Sequence, residues 1–221
     1  KILIDPLNGI KDIQLSLLRT NAKQNLIDDP LRILRCFRFV SELDFNIDEK
    51  LIDYIKKYRN KLRLVANERI NYEIQRIIRG ENASLSILLI NKFKIFDYIQ
   101  AKRDLIFIDL DKINFEKFNQ VEKEKFLPLF FLFQIFDEVS LQELKFSKSE
   151  ILQIKLLRKW KLILDKKNIY ELNEKERFDL HKELETILPS FILFLPEIFH
   201  IDWLVRWRNK DDKLFHPSNL I

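Results

Sequence analysis

Glycine occurs only twice in 221 residues, at Gly9 and Gly80. It is the residue that enters left-handed backbone freely. A chain this poor in it has little material for Gly-rich phosphate loops or for hairpin turns that need positive φ. The rest of the composition points the same way. Leu, Ile, Lys and Glu abound, Phe occurs 19 times, apolar residues make up 47% and charged residues 33%. This describes an ordered all-α protein with a sizeable core, not a disordered chain.

Charge excludes less. Lys and Arg number 39 against 34 Asp and Glu, a net charge of +5. The pI near 9.1 permits nucleic-acid binding, but an ordinary Lys-rich surface would give the same value. The single cysteine, Cys36, excludes an intramolecular disulfide and suits a reducing, cytoplasmic setting. No apolar run reaches the roughly 18 residues of a membrane span, so no membrane partner is expected. The opening Lys1–Gly9 stretch lacks the pattern of a signal peptide, and Met is absent throughout. The chain is therefore expected to begin inside a longer protein.

Periodicity divides the chain into a helical bundle followed by further helices. Residues 1–27 read as an extended lead-in with a turn at Asp5-Pro6-Leu7-Asn8-Gly9. A first helix is expected from Pro30, with Asp29 as its N-cap. Others are expected at 48–58, at 67–78 opening on Asn67 as a cap residue, and at 84–96. Beyond a less regular stretch at 101–120, helices are expected at 127–136, 151–164, 174–188 and 196–210. A domain boundary is expected near 105–120.

The informative stretch is Asp28-Asp29-Pro30-Leu31-Arg32-Ile33-Leu34-Arg35-Cys36-Phe37-Arg38-Phe39. Asp29, Arg32, Arg35 and Arg38 recur at steps of three. Each step falls about 60° short of a full helical turn, so these side chains spiral slowly over one half of the helix. Guanidinium groups gathered there need an anionic partner, and a triphosphate fits their planar donors. An Asp beside an Arg can also read a base edge, one accepting from an amino group while the other donates to ring nitrogen or carbonyl oxygen. The structural alternative is simpler. Asp29 is then only a cap, Arg32 its ion-pair partner, and the other arginines bind carboxylates such as Glu42 or Asp44.

This string resembles the nucleobase-recognising motif of class II CCA-adding tRNA nucleotidyltransferases and bacterial poly(A) polymerases. Two further segments resemble that family in the same order. Upstream, Ile4 to Ile13 is similar to its hinge segment, through Asp5, Gly9 and Asp12, with an Arg following at Arg19. Downstream, Glu68-Arg69-Ile70-Asn71-Tyr72-Glu73-Ile74 is similar to a motif whose Glu68, Arg69 and Glu73 would support the helices behind the nucleotide site. Asp28 stands where the family usually has Glu.

The resemblance implies a hinge at 1–27, a nucleobase-recognising neck at 28–110 and an RNA-binding helical body at 111–221. It implies an enzyme that adds C and A residues to a tRNA 3′ end, or a poly(A) polymerase or an enzyme restricted to CC or A addition. A non-catalytic RNA-binding helical module is the alternative of another class. Asp29 and Arg32 would template the incoming CTP or ATP. Arg35 and Arg38 would neutralise its triphosphate or brace that pair, and Asp28 would stand behind it.

The family's catalytic head, with its Gly-Gly-x-x-Arg-Asp loop and paired metal-binding aspartates, has no counterpart here. The chain is expected to hold neither catalytic residue nor metal, with Mg²⁺ bound in the head. Asp109-Leu110-Asp111 follows no Gly-rich loop and reads as solvated acid. His181, His200 and His216 show no metal-ligand spacing. Further on, Lys148, Lys155, Arg158 and Lys159 belong to a basic run from Lys145 to Lys167. That run suits tRNA phosphates, although a solvated helix face would look alike. Trp203 and Trp207, four apart, read as core packing.

Overall fold

The computed structural model describes residues 4–99, 118–195 and 200–209. The expected domain boundary, Asp109–Asp111, His216 and the first and last residues of the expected 196–210 helix lie outside them. The described residues are helical apart from one small sheet, and they form two compact units. The first comprises the described residues up to 99 together with Val139–Phe146. The second holds those from 118 to Glu138 and from Ser147 onward.

In the first unit the helices are α1 (Gly9–Gln14), α2 (Gln24–Asp28), α3 (Arg32–Leu43), α4 (Glu49–Tyr58), α5 (Asn67–Ile77) and α6 (Ala83–Lys92), with short 3-10 helices at Arg59–Leu64 and Phe96–Tyr98. The centre is α3, which buries Ile33, Leu34, Phe37 and Val40 against α5 and α6. Ile70, Ile74 and Ile77 of α5 and Ile87 and Ile90 of α6 are the facing residues. Apolar stripes at steps of three and four make these helices pack rather than stand alone.

Small residues let α3 come close. Ser41 donates to the Ile77 carbonyl at 2.6 Å, and Ser86 donates to the Phe37 carbonyl at 2.7 Å. A Cβ at Gly80 would lie 2.6 Å from the Ser41 carbonyl oxygen. Gly80 is thus glycine because another backbone passes there, not because of its own φ.

The sheet was not expected. Strand β1 (Leu17–Leu18) pairs in parallel with β2 (Asn46–Ile47), Leu17 opposite Asn46. Two residues carry too little alternation to be seen in a sequence. The turns leading to both strands use left-handed residues, Ser16 at φ 48° and Asp44 at φ 55°. Lys94 and Lys145 do the same work after α6 and after the 139–143 helical turns, each completing a Schellman-type cap.

Other boundaries moved for local reasons. α5 is preceded by Ala66, which gives no side-chain cap; Asn67 instead donates to the Glu143 carbonyl. The expected 84–96 helix stops at Lys92 because the chain turns left-handed at Lys94.

The second unit contains α7 (Gln120–Ile135), α9 (Lys148–Leu164), α10 (Glu174–Leu184), α11 (Leu188–Ile192) and α12 (His200–Arg208); the short helix α8 (Glu138–Glu143), between α7 and α9 in the chain, belongs to the first unit from Val139 onward. α7 starts well before the expected residue 127, at an Asn119–Glu122 capping box whose polar first turn hides it from an apolar search. The same box recurs at Ser147–Glu150 before α9 and at Asn173–Glu176 before α10. The expected 174–188 helix breaks into α10 and α11, with Pro189 inside the first turn of α11. Phe rings form the core, Phe133 and Phe130 lying 4.3 and 5.0 Å from Phe194. Trp207 packs edge-on against Phe126 at 5.1 Å, and Trp203 stacks on His181 at 5.0 Å.

Gly80→Ala is expected to destabilise the chain by about 1–3 kcal/mol, because the methyl group would press on both the Ser41 hydroxyl and the Ser41 backbone carbonyl. Urea unfolding monitored by circular dichroism checks this; an unchanged midpoint would show that α3 yields freely.

Candidate nucleotide-binding site

The site begins where α2 stops. Asp29 follows α2 in an extended conformation, φ −133° and ψ 87°. Leu31 already has helical angles, and the Arg32 N–H donates to the Asp29 backbone carbonyl at 3.1 Å. This corrects the expected cap: α3 is preceded by Leu31, and the Asp29 carboxylate takes none of its N–H groups. The carboxylate accepts instead from Arg69 Nη2 of α5 at 3.2 Å and stands 3.8 Å from Arg32 Nε. An acid that need not cap a helix, and is held from the side by one guanidinium, keeps lone pairs for a ligand.

Beside it lies a cleft of about 250 Å³. Arg32 and Arg35 of α3 line it together with Arg19, while Thr20, Asn21 and Asn25 add hydrogen-bonding groups. Leu18, Leu26 and Leu51 supply apolar wall. Arg19 reaches the cleft because the β1–β2 bridge fixes the chain just before it: Asn46 N–H donates to Ser16 O at 2.7 Å and Asp48 N–H to Leu18 O at 3.0 Å. Arg19 is ion-paired to Asp12. Asp5 steadies the same segment, accepting from the Gly9 and Ile10 N–H groups at 2.8 and 2.9 Å. Those two bonds, Ile10 first, hold its carboxyl below the usual range.

Among the described residues the Arg35 guanidinium makes no ion pair or hydrogen bond. Cys36 also borders the cleft. Burial pushes its thiol up to about 12, against the opposing pull of Arg35. The cleft therefore gains no thiolate at neutral pH, and its potential is set by arginine.

Arg38 is placed elsewhere. It is buried, donating to both Glu73 carboxylate oxygens at 3.3 and 3.1 Å and lying 3.5 Å from Glu42. Arg76 grips Glu42 in turn with bonds of 2.7 and 3.0 Å. Burial raises the Glu73 pKa and Arg38 opposes that shift. The other predicted residues are scattered around this frame. Asp28 is exposed and accepts from Gln24 at 2.6 Å, and Glu68 is exposed in the first turn of α5.

Sequence reasoning missed Thr20, Asn21 and Asn25, which no pattern marks. It missed Arg69 as the partner of Asp29 as well. For Glu73 a signal existed: it sits on the apolar face of Ile70, Ile74 and Ile77, where a carboxylate needs a buried cation.

In the second unit the basic run is largely matched by acids. Lys155 lies 3.2 Å from Glu138, Lys159 2.7 Å from Glu183 and Lys167 2.6 Å from Glu176, and Lys161 pairs with Asp165. Arg158 donates to the carbonyls of Phe133 and Phe136, closing the end of α7. Lys148 is exposed at the first turn of α9. Among the described residues no group of three His, Cys, Asp or Glu converges to hold a metal ion. No helix among them is long and apolar enough to cross a membrane.

Residues 44–102 match the family model described as "Probable RNA and SrmB- binding site of polymerase A". A CC-adding tRNA nucleotidyltransferase of Synechocystis is 25% identical over 248 residues, covering 99% of this chain and 59% of that protein. A CCA-adding enzyme of Bacillus cytotoxicus is 32% identical over 160 residues, 69% of this chain and 39% of that protein. The chain is similar to members of the CCA-adding enzyme and poly(A) polymerase family. It spans the helical neck and body region of this family, and only part of the length of the relatives it matches. Its fold is also that of a solved tRNA nucleotidyltransferase complexed with a primer tRNA and an incoming ATP analog, with a TM-score of 0.70 at 20% identity over 95% of this chain and 66% of that one.

Two consequences of this geometry can be measured. Arg38→Met should destabilise the chain by about 3–5 kcal/mol, since it leaves Glu73 buried without its cation, whereas Arg35→Met should change stability by less than about 1 kcal/mol. Equal losses in thermal or urea melts would remove the distinction between brace and cleft residue. Cys36, with its thiol held near 12, should react with iodoacetamide at pH 7.5 about a thousandfold more slowly than an ordinary thiol of pKa ~8.5. Alkylation at the rate of a free peptide thiol would contradict that burial.

Proposed function

We propose that this chain is the nucleotide-selecting and tRNA-binding part of an enzyme that adds CCA, or part of it, to the 3′ end of tRNA. The observation that carries this is that Arg32, which lines an arginine-rich cleft, stands 3.8 Å from Asp29, itself held by Arg69 rather than used as a helix cap. Cytosine and adenine both present an amino group beside a ring-nitrogen acceptor. A carboxylate can accept from the first while a guanidinium donates to the second. Guanine and uracil carry a carbonyl and an N–H there, and meet the pair with the wrong polarity. One protein surface can thus choose C and A without a nucleic-acid template.

Arg35 and Arg19 face the cleft where a triphosphate would lie, and Arg38 braces α3 from behind. Asp5, Gly9, Asp12 and Arg19 shape the hinge segment, with Glu73 and Arg69 supporting the pair from α5. The tRNA partner, ATP and CTP as substrates and the cytoplasmic setting belong to the same proposal. So does Mg²⁺, which would be held by the catalytic head of the whole enzyme and would activate the tRNA 3′-hydroxyl there. CC-restricted addition is a second reading, favoured by the likeness to the Synechocystis CC-adding enzyme over nearly the whole of this chain.

In the full-length enzyme Asp29→Ala should lower CTP and ATP use and relax selection against UTP and GTP by one to two orders of magnitude, as expected for a base contact of about 1–3 kcal/mol. Arg32→Ala should behave alike, and the double variant should be little worse than either, because the two act as one unit. Incorporation of all four nucleotides, measured beside a thermal melt, is the test. A variant that melts early yet still selects C and A would refute the templating role.

A further inference from the structure

The chain leaves the second unit after Glu138, joins the first for Val139–Phe146, and re-enters the second at Ser147. This short visit buries Leu141, Leu144 and Phe146. It ends in a left-handed residue, Lys145 at φ 62°, where the Phe146 N–H donates to the Leu141 carbonyl at 2.9 Å. The last carbonyls of a helix find no partner within it. Here two are taken by side chains of α5. Asn67 Nδ2 donates to the Glu143 carbonyl at 2.9 Å, and Asn71 Nδ2 donates to the Leu144 carbonyl at 2.8 Å.

The order of residues along α5 makes these bonds informative. Asn67 and Asn71 are one turn apart and lie on one flank of the apolar stripe of Ile70, Ile74 and Ile77. Arg69 and Glu73 are also one turn apart, about 160° around the helix on the other flank. There Arg69 holds Asp29, and Glu73 holds Arg38. One helix thus grips the Asp29–Arg32 segment along one edge and the visiting segment along the other. Burial of Leu141, Leu144 and Phe146 attaches that segment, but apolar burial is non-directional and does not set its register. Two directional bonds one turn apart do set it.

We propose that Asn67 and Asn71 are positioning residues for nucleotide addition. By fixing Val139–Phe146 on α5, they fix the point from which the chain enters and leaves the second unit, and so the register in which bound tRNA meets the selected nucleotide. The proposal rests on the tRNA-binding and nucleotide-selecting reading above. It gives these asparagines no contact with either substrate.

The test uses the full-length enzyme, a tRNA lacking its 3′ end, and all four nucleoside triphosphates. Asn67→Leu/Asn71→Leu removes both donors at nearly constant size. Its kcat for the first addition should fall about tenfold or more, as a misplacement near 1 Å would produce. KM for tRNA and for CTP should stay within about threefold, and preference for C and A over U and G should not change. Asn67→Gln/Asn71→Gln keeps the amide donors on a longer arm and should recover most of the lost rate. The melting temperature should fall by no more than about 5 °C. If it falls further, Asn67→Leu alone, at the more exposed bond, carries the same comparison. An unchanged kcat in the Leu variant overturns the proposal and leaves the asparagines as local packing. A Gln variant as slow as the Leu variant overturns it too, because the donor then has no part in the effect. So does a Leu variant that also loses base selection, since α5 itself would then have moved. A parent enzyme that adds no nucleotide to tRNA would instead sink the functional reading beneath it.

Discussion

Arg38 and Glu73 lose nearly all their water together, and neither charge could be buried without the other. Moving a lone guanidinium or carboxylate out of water costs several kcal/mol even after relaxation. The bond between them ties α3 to α5 in one register. The rest of the first unit follows from that register. Arg69 lies one turn before Glu73 on α5 and so comes beside Asp29 at the start of α3. Arg35 and Arg32 lie successively back along α3 from Arg38, and they open onto the cleft while Arg38 stays buried. One helix thus carries both its anchor and the arginines of the proposed binding cleft, on different parts of a slow spiral.

Scarcity of glycine shapes the remainder. Left-handed turns fall to Asn8, Ser16, Asp44, Lys94 and Lys145 among the described residues. Such positions cost on the order of 1 kcal/mol for residues with a Cβ, and helix packing has to offset that cost. Ser16 and Asp44 sit at the ends of the β1–β2 bridge that delivers Arg19 to the cleft. Gly80 is kept for a different need, the passage of the Ser41 backbone.

Long apolar periodicity made the helices legible in the sequence. The stripes of α3, α4 and α5 were visible because each buries one face against neighbours. The string from Asp28 to Phe39 and the Glu68–Ile74 segment were legible as a candidate site and its proposed support through resemblance. Individual roles within them were not. A step of three places Asp29, Arg32, Arg35 and Arg38 alike, and only the position of Glu73 distinguishes Arg38 as a brace. The cap that sequence assigned to Asp29 failed because Pro30 and Leu31 form a turn of their own and move the first N–H groups past its carboxylate. Two-residue strands and the matching of lysines by acids on α9 depend on distant partners, and spacing along a chain carries no trace of them.

The division of labour along α3 can be observed directly from the arginine Nε–Hε NMR signals of the full-length protein during titration with CTP or ATP. Arg32, Arg35 and Arg19 should shift and saturate together, while Arg38 keeps its chemical shift and its slow exchange with water. A saturating shift at Arg38 with Arg32 and Arg35 unmoved would contradict the account, because the nucleotide would then be reaching the brace and not the cleft.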